Sequence, residues 1–119
     1  LLRPVEALKY LADESHEANM TPQEQETYMG RYFAFTEEVR GRGLFDGGDA
    51  LHPTHMATSV RIRDGHTLAT DGPFAETKEQ LGGFYILNCK DLDEAIEMAA
   101  KIPAVEHGTI EIRPVVEFG

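Results

Sequence analysis

With 119 residues and 41% apolar content, the chain has the size and composition of one soluble domain with a real core. Its 11 basic and 21 acidic residues leave a net charge of −10, which argues against binding nucleic-acid phosphates and disfavours anionic membrane surfaces. No apolar run approaches the ~20 residues of a membrane span, Leu1-Leu2-Arg3-Pro4 has no export-signal pattern, and the single Cys89 fits a reducing cytoplasm as a small core residue.

Residues Val5–Leu11 form the first strand candidate, with Val5 and Ala7 inward and Leu8 and Tyr10 as further inward candidates. Asp13–Met20 reads as a polar loop holding His16. Thr21-Pro22-Gln23-Glu24 is a helix start: Thr caps the amide of Glu24, Glu24 reaches back, and Pro22 takes the first helical position. The helix is expected to run to about Arg42, with Gly43 as its terminator. Tyr28, Tyr32, Phe35 and Val39 form a stripe at helical spacing, flanked by Met29 and Phe33. Gly30 in mid-helix costs roughly 1 kcal/mol against alanine, a cost expected to be offset by close packing.

Leu44–Leu51 reads as a short strand bent at Gly47-Gly48. His52 and His55 have a spacing that can hold a metal. Pro53 breaks any helix that would aim both rings together, and two histidines are too few, so no metal is expected. Ala57–Arg63 alternates, with Val60 and Ile62 opposite Arg61 and Arg63. Asp64-Gly65 is a hairpin turn, and His66–Thr70 returns as the partner strand.

That hairpin delivers the chain to Thr70–Gly83, TDGPFAETKEQLGG. Asp71-Gly72 is a turn dipeptide, Pro73 fixes the exit direction, and Phe74 offers an apolar anchor. Glu76, Lys78 and Glu79 form a charged segment with the length of one helical turn, ended by Gly82-Gly83. The structural reading makes this a rigid surface loop with Asp71 capping nearby amides; the functional reading makes it a rim that places Asp71 in a pocket. Phe84–Cys89 is apolar on both faces, as a central strand should be. Asp91 caps a second helix whose buried stripe is Leu92, Ala95, Ile96, Ala99 and Ile102, stopped by Pro103. Ala104–Gly108 is a loop with His107, and Thr109–Val116 is an edge strand ended near Pro114.

The order strand, helix, strand, hairpin, strand, helix, strand is the split βαβ, ferredoxin-like α+β pattern with an inserted β-hairpin. No repeat or second domain is visible, so one domain over residues 1–119 is expected. Two helices cover only one face of such a sheet. An apolar second face needs a cover, and the simplest is the same face of another copy. The expectation is a cytoplasmic homodimer with two sheets face to face, a dimeric α/β barrel.

Asp71-Gly72-Pro73-Phe74 and the run to Gly83 resemble the DGPF-type branch of the YCII-related domain family. The resemblance extends to Tyr32–Glu38, Val60–Gly65, Asp91–Ala95 and Ile112–Val115, nearly the whole chain after about residue 20. It implies the same dimeric barrel, and a His–Asp pair proposed to be catalytic. Asp71 matches the aspartate. The histidine should fall early in the first helix, where Gln23–Arg31 holds none.

Three functions follow. The first is a small-molecule binding module with a cavity beside the loop, for which Tyr28, Tyr32, His55, His66, Asp71, Phe74 and Lys78 are the candidate ligand-binding residues. The second is an enzyme of proton transfer or elimination with Asp71 as acid or base. The third is a dimerisation scaffold. Family relatives fused to sigma-factor domains imply a link to transcription, here through a ligand or protein partner rather than nucleic acid. No cofactor motif is present.

Overall fold

The computed structural model describes residues 5–118; the stretch Leu1-Leu2-Arg3-Pro4 and Gly119 lie outside the described residues. Among the described residues, six strands and three α-helices follow in chain order: β1 (Glu6–Ala12), α1 (Glu14–Ala18), α2 (Pro22–Gly41), β2 (Phe45–Ala50), β3 (Thr58–Arg63), β4 (His66–Asp71), β5 (Gln80–Leu87), α3 (Leu92–Ala99) and β6 (Thr109–Pro114). Four strands make one antiparallel sheet in the order β2-β5-β1-β6, the order of a split βαβ pattern, and no barrel closes among the described residues. Strands β3 and β4 form a separate two-stranded ribbon.

On the first strand the inward candidates Leu8 and Tyr10 do face the core, and Ala7 does not. Glu6, Leu8 and Tyr10 face the helices, while Ala7, Lys9 and Leu11 face the other side. Pairing decides this: Leu8 lies opposite Tyr85 and Glu6 opposite Leu87, whose side chains belong to the core. A one-residue slip would turn every side chain over. Asp13–Met20 is not a plain loop. Asp13 accepts the Ser15 amide at 2.9 Å and starts the short helix α1.

Helix α2 begins with the expected capping box, Thr21 accepting from the Glu24 amide at 3.1 Å and Glu24 from the Thr21 amide at 3.0 Å. It ends in a Schellman motif: Leu44 N–H donates to Val39 O and Gly43 N–H to Arg40 O, with Gly43 at φ 73°. Of its stripe, Phe35 and Val39 are buried and Tyr28 and Tyr32 half-buried, but Met29 and Phe33 are exposed. Gly30 is exposed, and a Cβ there would meet nothing within 4 Å, so close packing does not explain it.

Helix α3 also departs from the expected stripe. Ala95, Met98 and Ala99 are buried, while Leu92 and Ile96 are about half exposed. Eight residues give little more than two turns, so the buried face is narrow and Met98 takes the central place. Pro103–Glu106 forms a 3-10 turn rather than a loop. The core gathers Leu8, Phe35, Val39, Tyr85, Leu87, Met98 and Ile102 on the helix side of the sheet. The opposite face carries Phe84 and Ile86, with Ala7, Leu11 and the ion pair Lys9–Glu111 (3.1 Å), by strand alternation, and Leu81, which the register shift at Gly82 sets opposite Leu11.

Candidate functional site

The hairpin forms as its sequence dictates. Asp64 (φ 52°) and Gly65 (φ 76°) make the two-residue turn that matches strand twist, and the pairs run from Arg63↔His66 to Thr58↔Asp71. At its root, Gly72 N–H donates to Ala57 O at 2.7 Å, and Ser59 Oγ donates to Gly72 O at 2.8 Å. Asp71 does not cap these amides: its exposed carboxylate makes no hydrogen bond or ion pair among the described residues. Phe74 lies under the guanidinium of Arg61, 5.0 Å from its ring centroid, and is 76% exposed.

The charged stretch after Phe74 forms no helix, and Gly82-Gly83 lie within β5 rather than ending the loop. The loop is tied down through α1 instead. Glu14 N–H donates to Gln80 Oε1 at 3.1 Å. The Glu14 carboxylate accepts from Thr54 N–H at 2.9 Å and Thr54 Oγ at 2.6 Å. Thus α1 pins both connectors of the hairpin. Lys78 is exposed near Asp13, whose carboxyl lies below its ordinary range, chiefly through its hydrogen bonds from Ser15.

The closest gathering of polar rings lies elsewhere, where β1, α1, α2 and the turn before β6 meet. Tyr10 packs on Tyr32 (centroids 5.3 Å) and Tyr85 (6.2 Å), and Tyr28 meets Tyr32 edge-on at 5.3 Å. Tyr28 Oη lies 3.4 Å from both Tyr32 Oη and His107 Nε2. His107 in turn stacks on His16 of α1 at 3.7 Å. Burial pushes the Tyr10, Tyr28, Tyr32 and Tyr85 hydroxyls up, so all four stay neutral donors at pH 7. Burial first and the His16 neighbour second push His107 down. His107, Tyr28 and Tyr32 thus form a row of polar groups at the outer limit of hydrogen-bonding distance.

Gly82 and Gly83 seat this cluster. A Cβ on Gly83 would strike the Tyr10 hydroxyl, lie 2.5 Å from its Cζ, and lie 2.6 Å from Asp49 O. The glycine pair of the signature run thus admits the Tyr10 ring against the sheet.

Of the predicted site residues, the structure joins Tyr28 and Tyr32. Asp71 and Phe74 stand together on the turn at the hairpin root, and His55 and His66 are separately exposed. Two open concavities, one of ≈ 460 Å³ between α2 and the Ile102–Glu106 segment and one of ≈ 430 Å³ near Leu44 and Cys89, are lined by none of them. Sequence reasoning missed His16, His107 and Tyr10 as companions of Tyr28; their separation along the chain gave no spacing signal.

The family model for the YCII-related domain matches residues 7–119. The chain belongs to the YCII-related family. It is also similar to an uncharacterised protein of Rhizobium meliloti (strain 1021), 37% identical over 108 residues, covering 89% of this chain and 87% of that one. The histidine-free Gln23–Arg31 segment of this family member does carry Tyr28, which meets an imidazole brought in from residue 107. No helix among the described residues is long and apolar enough to cross a membrane.

Proposed function

We propose that this YCII-family protein is a homodimer that binds a small organic molecule in the hollow between two apposed sheets, with the Asp71–Phe74 turn at its mouth. One observation carries the reading. The helix-free face of the sheet presents Leu11, Leu81, Phe84 and Ile86 in a band, and both long helices lie on the other side. Such a face on a chain of this size implies a cover, and a second copy gives the dimeric α/β barrel. A hollow lined by that band, with Lys9 and Asp49 among its polar groups, suits a small molecule with apolar body and polar ends.

The test is native mass spectrometry of protein purified without denaturation, alongside gel filtration with light scattering. A dimer carrying a co-purified compound supports the reading; a monomer at micromolar concentration with no adduct refutes it. Proton transfer is the second reading, favoured by the contact of Tyr28 Oη with His107 Nε2 on the helix side of the sheet, where it would act on a molecule bound apart from that hollow. It requires that a substrate panel be turned over by the wild type and not by Tyr28→Phe.

A further inference from the structure

We propose that the β3–β4 arm docks on the second copy, so that each hollow takes its Asp71–Phe74 turn from the opposite protomer. This rests on the dimer proposed above.

A lone two-stranded ribbon is marginally stable in water at best. Here every residue of β3 and β4 is exposed except half-buried Ser59, and no other element among the described residues packs extensively on the pair. Its apolar side chains point both ways. Val60 (64% exposed) and Ile62 (66%) share one face, while Leu68 (48%) shares the other with Arg61 and Phe74 (76%). Little else among the described residues repays the ordering of these residues, and a surface outside them would.

The arm does not fold back on its own sheet to supply that surface. Leu51 N–H donates to Gly82 O at 2.8 Å, Glu14 holds Thr54, Gly72 holds Ala57, and Gln80 holds Glu14. Both connectors are therefore tied to the body of the domain, and the ribbon leaves it from there. The outline agrees: the radius of gyration is 16.4 Å and the extents 46 × 46 × 19 Å. A compact chain of this length has a radius near 13.5 Å.

A second copy is the occupant the chemistry favours. Its bare sheet face offers an apolar band, of which Val60 and Ile62 would cover one part while the rest lines the hollow. Charge points the same way. The chain carries −10, yet within the arm Arg61 and Arg63 offset Asp64 and Asp71. Two like-charged copies meet with least repulsion through their neutral part. Reciprocal docking across a two-fold axis satisfies both arms at once.

The test uses the full chain. Light and 15N-labelled protein are mixed, allowed to exchange, and treated with a carbodiimide, which joins carboxylates to lysines. Peptide pairs linking Asp64 or Asp71 of one label to Lys9 of the other are expected. A dimer whose Asp64 and Asp71 links stay within one label overturns arm exchange and leaves the face-to-face dimer standing. A wild-type monomer overturns both. Independently, Val60→Asp with Ile62→Asp should weaken dimerisation roughly tenfold or more while circular dichroism keeps the wild-type fold; unchanged dimerisation overturns the proposal.

Discussion

Gly83→Ala tests the packing of the tyrosine cluster most directly. Gly83 adopts no left-handed backbone, so the cost of a side chain there is purely spatial. The added methyl would meet the Tyr10 hydroxyl and lie 2.5 Å from Tyr10 Cζ on one side, and 2.6 Å from the Asp49 carbonyl of β2 on the other. The ring can give; the paired strand can give only by opening the ladder. Overpacking of this kind costs about 1–3 kcal/mol, and a strained or lost strand hydrogen bond about 1 kcal/mol more. Relief of glycine's backbone entropy returns about 0.5–1 kcal/mol. The net is roughly 1–3.5 kcal/mol of destabilisation, or a melting temperature lower by about 4–14 °C at about 4 °C per kcal/mol. Urea titration measures the first figure and calorimetry the second. Combining Gly83→Ala with Tyr10→Ala should recover part of the loss, because the two changes share one contact. A Gly83→Ala protein within about 0.5 kcal/mol of wild type would refute the reasoning.

Other positions should respond differently. Gly30→Ala should stabilise by roughly 0.5–1 kcal/mol in urea, since the site is helical, exposed and open; a loss would mean that something covers it. Thr21→Ala removes one half of a capping box and should cost about 1 kcal/mol by the same assay. Asp71→Asn should leave stability within about 0.5 kcal/mol, because its carboxylate holds no amide, while native mass spectrometry should show loss of the co-purified compound. His107 is held below its ordinary value, so the unfolded chain binds more protons in the window between the lowered value and about 6.5. Its contribution is complete above that window and is lost as pH falls through the folded value. The urea midpoint should therefore drop from pH 7.5 to 5, and drop less in His107→Phe; an identical drop in both would refute this.

Local chemistry determined much of the chain from sequence alone. The Thr21 box, the Gly43 terminator, the Asp64-Gly65 turn and the Asp91 cap act over a few residues, and each forms where its residues stand. So does the ladder of element types that yields the sheet order. Facing and company needed the tertiary structure. Lys9 and Glu6 alternate among apolar neighbours, so β1 had two readable faces until Tyr85 and Leu87 chose one. Gly83 looked like a loop terminus because its partner, Tyr10, lies 73 positions away in sequence. Tyr28 could be seen on its stripe, but His107 and His16 reach it only through the fold. Contacts between distant residues leave no period or spacing in a sequence, because the chain between them is free to take any path until the core closes.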